Sequence, residues 1–141
     1  MWKLAAFLVL VSLASRAAAQ KYTIVTEQAT YTQALAFCKR LGLTLVKERS
    51  LEDTDALNEA ISAAGETAHF FYLGGFHQQD NILTPEWIWI DTGEEITYEN
   101  WSTGASKDGE CLVRTSASSV AGNWMSSTCT VQRYFICEQE E

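Results

Sequence analysis

The sequence predicts an α+β domain in which two helices pack on antiparallel sheets, and three observations lead to this class. Two amphipathic helical patterns fall between residues 30 and 65. From residue 69 onward the chain is rich in aromatic and β-branched residues separated by turn residues, as expected for a series of short strands. Strands and helices do not alternate in the βαβ manner that builds a parallel sheet.

Capping residues define the two predicted helices. Thr30 is the predicted N-cap of the first helix, and Gln33 completes a capping box with it. Gly42 ends this helix, whereas Ser50 begins the second helix and Gly65 ends it. The apolar face of the first helix consists of Ala34, Phe37, Cys38 and Leu41. That spacing is typical of a helix that packs on a core.

The predicted strands are identified by their composition and by the turns between them. They cover residues 21–27, 43–46, 69–76, 87–90, 110–115, 122–124 and 133–137. Residues 91–93, with the sequence Asp-Thr-Gly, form a predicted turn. The positions of Trp87, Trp89, Trp101 and Trp124 along these segments favour places in the core over stacking on a sugar.

The first 19 residues have the pattern of an export signal. A positive charge near the start is followed by an apolar run at residues 4–13, and small residues at 17–19 suit cleavage before Gln20. The apolar run is too short for a membrane-spanning helix, so an uncleaved anchor is the disfavoured alternative. We therefore expect a signal peptide at residues 1–19 and one secreted domain at residues 20–141, with no membrane span.

The net charge of the chain argues against some classes of binding partner. The chain carries 18 acidic and 10 basic side chains, a net charge of −8. Loss of Lys3 and Arg16 with the leader leaves eighteen acidic against eight basic residues, a net charge of −10. Such a surface repels the phosphates of nucleic acids and anionic membranes, so we expect no nucleic-acid partner.

All the cysteines follow the export signal, and they are Cys38, Cys111, Cys129 and Cys137. In an oxidising compartment this pattern predicts disulfides rather than catalytic thiols or metal ligands. Four cysteines allow three pairings, and the sequence alone does not choose between them. Because no further cysteine is available, we expect a monomer or a non-covalent dimer.

No motif in the sequence supports catalysis. There is no Gly-x-Ser-x-Gly elbow, and apart from Asp80 no partner stands near His69 or His77 at metal-ligand spacing. Glu94 and Glu95 fall on a predicted turn, where solvation is the better interpretation. We therefore predict that the protein is not an enzyme. The Asn-Trp-Ser sequence at 100–102 matches a glycosylation sequon, but burial of its tryptophan argues against use.

A series of ordered motifs resembles the C-type lectin-like domain in its short form, over residues 21–138. After the Cys38 helix these are FYLGG at 71–75, WIWIDTG at 87–93, YENW at 98–101, ECLV at 110–113, GNW at 122–124 and FICE at 135–138. The compact spacing is similar to that of arthropod soluble lectins. The resemblance implies the C-type lectin-like fold with a long-loop region, and two disulfides, Cys38–Cys137 and Cys111–Cys129. In the chain-entropy model these bridges contribute about 4–5 and about 3 kcal/mol.

The resemblance also locates the family's principal calcium site, where this sequence departs from the pattern. The family uses an E-P-N or Q-P-D triplet, a glutamate before the third cysteine, and the N-D of W-N-D. Here the triplet is Ala-Ser-Lys at 105–107, and W-N-D is Trp-Met-Ser at 124–126. The only proline, Pro85, lies far from the triplet and cannot supply its cis bond. We therefore predict no calcium at the principal site and no cofactor, leaving open a weak site at Asp108 and Glu110.

These observations predict a secreted C-type lectin-like binding protein that recognises its partner without calcium. The expected surface extends from residue 91 to residue 125 and its candidate ligand-binding residues are Lys107, Asp108, Glu110, Met125 and Ser126. Adaptable apolar and charged contacts suit an extracellular protein partner, in defence or as a secreted effector. The alternative is a carbohydrate-binding lectin that recognises glycans.

Overall fold

The computed structural model describes residues 21–66, 69–79, 86–116 and 122–140. Within these ranges the elements are β1 (Tyr22–Ala29), α1 (Tyr31–Arg40), β2 (Leu43–Leu45), α2 (Leu51–Ala63), β3 (Phe70–His77), β4 (Trp87–Trp89), β5 (Cys111–Thr115), β6 (Trp124–Ser127) and β7 (Arg133–Gln139). The predicted signal peptide, residue 80 and Pro85 lie outside the described residues. None of the helices in these ranges is long and apolar enough to cross a membrane.

Both helices begin at their predicted caps. The Thr30 hydroxyl oxygen accepts a hydrogen bond from the Gln33 N–H at 3.3 Å, and Gln33 Oε1 accepts one from the Thr30 N–H at 3.0 Å. Ser50 Oγ accepts from the Asp53 N–H at 3.1 Å at the start of α2. Each of these side chains satisfies a backbone donor that the first turn of a helix leaves free.

The end of α1 corrects one prediction. Gly42 has φ +74°, the left-handed conformation that glycine adopts without steric penalty, and it ends the helix as expected. Leu41 is not on the buried face, since its side chain is 54% exposed. The helix ends at Arg40, so Leu41 occupies the C-cap and no longer follows the helical period.

The described strands form one hydrogen-bonded sheet in the order β1-β7-β3-β5-β6, with β2 added to β7 and β4 added to β3. All pairs are antiparallel except β3 and β7, which run parallel, so the predicted antiparallel arrangement holds for every described pair but this one. The chain returns from β6 to β7 through residues 128–132, across the face that carries Tyr72. The Tyr72 hydroxyl lies 3.2 Å from the Thr128 carbonyl oxygen. A crossover connection of this kind joins strands that run in the same direction.

The strand predicted at 122–124 begins later, at Trp124, and continues to Ser127. Gly122 has φ +94°, and a Cβ there would lie 2.2 Å from the Trp101 carbonyl oxygen. The Asn123 N–H donates to the Asn100 carbonyl oxygen at 2.9 Å. The chain therefore bends at Gly122 against residues 100–101 before the strand starts.

The core consists of two clusters on opposite faces of the sheet. Because successive side chains of a strand point to opposite faces, Phe71 and Leu73 face α2 while Tyr72 faces α1. The α2-side cluster also contains Leu57, Ile61, Trp87, Trp89, Leu112, Trp124 and Ile136. The α1-side cluster also contains Tyr31, Ala34, Cys38, Val113 and Phe135. Three of the four tryptophans assigned to the core are buried there, and Trp101 is half-buried.

The disulfides are Cys38–Cys137 and Cys111–Cys129, as the resemblance implied. The first ties α1 to β7 across a sequence separation of 99 residues. The second ties the start of β5 to the connection that follows β6. Both bridges join segments distant along the chain, and the described residues include no free cysteine.

Candidate functional site

The loop at residues 101–110 packs against β6, and Ser126 makes the contacts that hold it there. The Ser126 N–H and hydroxyl both donate to the Ser106 carbonyl oxygen, at 3.0 and 2.9 Å. The hydroxyl oxygen also accepts from the Gly109 N–H at 2.9 Å. A Cβ on Gly109 would lie 2.7 Å from the Ser127 backbone, so this approach requires glycine. Ser126 therefore closes the 101–110 loop by hydrogen bonds.

Lys107 extends over an aromatic surface at the start of the same loop. Its Nζ lies 5.3 Å from the centroid of the Trp101 ring, within the range of a cation–π contact. Trp101 in turn packs edge-on against Trp87 and Trp124, with centroids 5.1 and 5.6 Å away. The ammonium group is thus held near a half-buried ring that the core fixes in place.

Asp108 and Glu110 have exposed side chains on a fixed backbone. The Asp108 carbonyl oxygen accepts from Gln79 Nε2 at 2.8 Å, and the Glu110 carbonyl oxygen accepts from the His77 N–H at 2.7 Å. Together with Lys107, these residues give the loop a surface of mixed charge. The structure brings all three residues close to Ser126 along the loop.

Met125 occupies a different position from the other candidates. It pairs with Val113 in the sheet and packs half-buried against the α1-side cluster. Successive residues of a strand point to opposite faces, so Met125 faces away from the side on which Ser126 holds the loop. Part of its role is therefore to anchor β6 on the core.

The residues at the family's calcium positions do not fit that ion. Calcium takes six to eight oxygen ligands. Lys107 presents a cation at one of these positions, and Met125 presents a thioether at another. The hydroxyl of Ser126 is already bonded to Ser106 and Gly109. Across residues 21–66, 69–79, 86–116 and 122–140, no group of three or more His, Cys, Asp or Glu side chains is arranged to hold a metal.

A buried ion pair behind the loop was missed by sequence reasoning. Arg114 Nε donates to Glu48 Oε1 at 2.9 Å, and both side chains are fully buried. Glu48 Oε2 accepts from the Thr54 hydroxyl at 2.7 Å and from Asn100 Nδ2 at 2.9 Å. Burial lowers the pKa of Arg114, against the opposing effect of the Glu48 charge. The available signal was an arginine inside the apolar strand sequence at 111–115, since a buried arginine requires an anionic partner.

The hydrogen bonds around Glu48 also fix Asn100, the residue at which the loop region begins. Asn100 Nδ2 also lies 3.2 Å from Asn123 Oδ1. Its amide nitrogen is thus engaged by two acceptors, at the position where a glycan would be attached to the sequon. The expectation that this sequon is not used rested on burial of Trp101, which is only half-buried, and it stays a prediction.

A second buried group of charges lies under the 91–93 turn. Lys47 Nζ is 3.0 Å from Asp91 Oδ2 and 3.9 Å from Glu138 Oε1, and the Lys47 side chain is 3% exposed. Burial opposes ionisation of Asp91, but the hydrogen bond and charge of Lys47 outweigh it and lower its pKa. For Glu138, burial outweighs the attraction to Lys47 and raises the pKa.

The two histidines each contact one carboxylate. His69 Nε2 lies 3.1 Å from Glu66, and His77 Nε2 lies 2.9 Å from Glu86. The His77 ring also stacks on Trp87, with centroids 4.7 Å apart. These contacts place both side chains at the two ends of β3, where they support local packing.

Comparison with known proteins places these observations in a family. The family model described as "Lectin C-type domain" matches residues 27–139. The chain is 27% identical to human E-selectin over 137 residues, which cover 92% of the chain and 21% of the selectin. It is 28% identical to salivary C-type lectin 2 of Aedes albopictus over 131 residues, covering 86% of the chain and 84% of that lectin. The chain spans about a fifth of the length of E-selectin.

Solved structures show the same fold. Human lithostathine superposes with a TM-score of 0.72 at 21% identity, covering 85% of this chain and 83% of that one. The calcium-independent C-type lectin SPL-2 of Saxidomus purpuratus gives 0.68 at 20% identity, with 83% of each chain covered. The cow CD23 domain, solved in the presence of a GlcNAc2Man3 oligosaccharide, gives 0.66 at 22% identity, covering 86% of this chain and 90% of that domain.

Proposed function

Because the chain belongs to the C-type lectin domain family, we propose that it is a secreted, non-enzymatic binding protein. Its partner is an extracellular protein, bound without calcium, in defence or as a secreted effector. The direct contacts with the partner are made by Lys107, Asp108 and Glu110. Ser126 holds the loop that carries them, and Met125 anchors β6 on the core. The observation that carries this proposal is the closure of the loop by the Ser126 hydrogen bonds.

Calcium independence is supported by the chemistry at the loop. The hydroxyl of Ser126 already bonds both sides of the segment that includes Lys107, so the loop has a defined conformation without an ion. An ammonium group at Lys107 repels a divalent cation by ordinary electrostatics. The calcium-independent C-type lectin SPL-2 has the same fold, which is consistent with a loop that is ordered without calcium.

A protein partner is supported by the composition of the surface. Lys107, Asp108 and Glu110 are exposed and lie on a backbone fixed by hydrogen bonds from Gln79 and His77. A preorganised loop loses little conformational entropy on binding, which favours affinity. Opposite charges on neighbouring residues suit a partner of complementary charge pattern.

A glycan partner is the second candidate, and Trp101 is the observation that favours it. Its half-buried ring lies beside polar loop residues. An aromatic ring in such a place presents an apolar face next to polar groups. The similarity to E-selectin and to a CD23 domain solved with an oligosaccharide makes this candidate reasonable for the family.

Secretion rests on the leader-like sequence at residues 1–19 and on the two disulfides. Expression of the full chain in eukaryotic cells should release a processed product into the medium, with an N-terminus at or next to Gln20 by protein sequencing. Retention of the intact chain in the membrane fraction would contradict this part of the proposal.

Affinity capture from the surrounding extracellular fluid tests the proposal as a whole. We expect the immobilised protein to retain a protein partner equally with calcium and with EDTA. Lys107→Glu should reduce capture about tenfold, a loss of about 1.4 kcal/mol, because it reverses a contact charge. The matched control is Lys39→Glu, an exposed lysine on α1.

Two results would contradict the proposal. Capture that EDTA abolishes and calcium restores would show metal dependence. Binding to a glycan array in the absence of any protein partner, lost in Trp101→Ala but retained in Lys107→Glu, would favour the glycan candidate instead.

A further inference from the structure

Asp108 and Gly109 form a pair with its own chemistry in the 101–110 loop. In the full sequence, this is the only place where a glycine follows an aspartate or an asparagine. A glycine has no side chain to shield its backbone nitrogen, so the preceding side-chain carboxyl group can reach that nitrogen. The fold also requires the glycine, because a Cβ at this position would lie 2.7 Å from the Ser127 backbone. The chain therefore keeps a reactive pair in this loop.

The peptide group between these two residues is held at both of its polar ends. The Asp108 carbonyl oxygen accepts a hydrogen bond from Gln79 Nε2 at 2.8 Å. The Gly109 N–H donates to Ser126 Oγ at 2.9 Å. The Asp108 side chain is exposed, and the ion pairs among the described residues do not include it. The carboxyl group can thus turn in solvent, whereas the peptide group beside it is fixed.

We propose that Asp108 is a site of spontaneous isomerisation to isoaspartate, and that the hydrogen bonds from Gln79 and to Ser126 set its rate. The Gly109 nitrogen attacks Cγ of the protonated Asp108 carboxyl group. A C–N bond forms, and the carboxyl hydroxyl leaves with the N–H hydrogen as water, which closes a cyclic imide. A solvent water then adds to one of the two imide carbonyls. Cleavage of the bond from nitrogen to Cγ restores aspartate, and cleavage of the bond to the backbone carbon gives isoaspartate.

The two hydrogen bonds slow this reaction because ring closure must turn the peptide group. The Gly109 nitrogen has to face Asp108 Cγ, and that rotation breaks the bond to Ser126 and displaces the oxygen bonded to Gln79. The product has one more carbon in its backbone, while Cys111 stays tied to the connection after β6 by its disulfide. The Gly109 N–H then no longer meets Ser126, so isomerisation releases the loop.

Incubation of the disulfide-bonded protein at neutral pH tests the proposal. Isoaspartate is counted by labelling with an isoaspartyl methyltransferase and S-adenosylmethionine, and peptide mapping locates it. We expect it to form at Asp108 about tenfold or more slowly in the folded protein than in guanidinium chloride, which is removed before labelling. Ser126→Ala should speed the reaction in the folded protein about fivefold. The matched control Thr103→Ala, on the exposed part of the same loop, should leave the rate unchanged.

Two further variants keep the test decisive if Ser126→Ala does not fold. Gln79→Ala changes an exposed side chain and should speed the reaction about threefold. Asp108→Glu should abolish the label, because the longer side chain closes its ring far more slowly. Equal rates in folded and unfolded protein, a folded Ser126→Ala or Gln79→Ala variant no faster than the unmodified protein, or isoaspartate at another residue would each overturn the proposal. These measurements involve no binding partner, so their outcome is independent of the proposed function.

Discussion

At the scale of single residues, Ser126 holds the 101–110 loop by hydrogen bonds to Ser106 and Gly109. Ser126→Ala removes the hydroxyl that joins Ser106 to Gly109, at a cost of about 1–2 kcal/mol for two partly exposed hydrogen bonds. We expect a lower midpoint of urea unfolding and faster amide hydrogen exchange at Gly109. Thr103→Ala, on the exposed part of the same loop, is the control. Unchanged exchange at Gly109 would show that Ser126 does not hold the loop.

A second prediction at this scale concerns the Glu48–Arg114 ion pair. Arg114→Met leaves a buried carboxylate without its partner and should cost about 3–5 kcal/mol. Adding Glu48→Gln should recover much of this loss, because the amide oxygen still accepts from Thr54 and Asn100 without carrying a charge. Thermal unfolding of the single and double variants measures the difference. A double variant no more stable than Arg114→Met would contradict this account, and Arg40→Met controls for loss of a surface arginine.

At the scale of elements, one buried group of charges links three segments of the chain. Lys47 follows β2, Asp91 lies in the 91–93 turn, and Glu138 lies in β7. The lowered pKa of Asp91 gives stability that is present above its unfolded value near 3.8 and is lost as pH falls through the folded value. The raised pKa of Glu138 acts in the opposite direction. Its contribution is full below the unfolded value near 4.5 and is lost as pH rises through the folded value.

The two carboxylates can therefore be separated by pH. Asp91→Asn should flatten the loss of stability below about pH 4, and Glu138→Gln should flatten the change just above about pH 4.5. Urea midpoints measured from pH 3 to pH 7 (a range of about four units) provide the test. Profiles for both variants that run parallel to the unmodified protein would contradict these assignments.

Elements fixed by local signals were predictable, and those fixed by the tertiary structure were not. The caps at Thr30 and Ser50 act within three residues of the chain, so sequence reasoning found both helices. The parallel pairing of β3 and β7 depends on a crossover between distant strands. Likewise, β6 starts late because Gly122 bends against residues 100–101, a contact that spacing along the sequence does not reveal.

The same distinction applies to the candidate site. Lys107, Asp108 and Glu110 were placed on a loop by their position just before Cys111, and they are exposed. Ser126 was identified as a substitution in a calcium motif, but its bonds to Ser106 and Gly109 required the fold. The opposite orientation of Met125 follows from strand alternation once the bounds of β6 are known.

At the scale of the whole molecule, the two disulfides stabilise the domain to different degrees. Replacing Cys38 and Cys137 by alanine should cost about 4–5 kcal/mol, since their bridge closes a loop with a sequence separation of 99 residues. Replacing Cys111 and Cys129, with a separation of 18 residues, should cost about 3 kcal/mol. Guanidinium unfolding of both double variants checks the order. A larger loss from the short bridge would contradict the chain-entropy explanation.

Calorimetric titration of the folded, disulfide-bonded protein with calcium chloride is the most direct test of the central claim that the loop is ordered without an ion. Lys107 stands at one ligand position, and the Ser126 hydroxyl is engaged by Ser106 and Gly109. We predict no saturable heat at millimolar calcium. A saturable heat with one ion per chain, abolished by Asp108→Asn or Glu110→Gln, would contradict the claim.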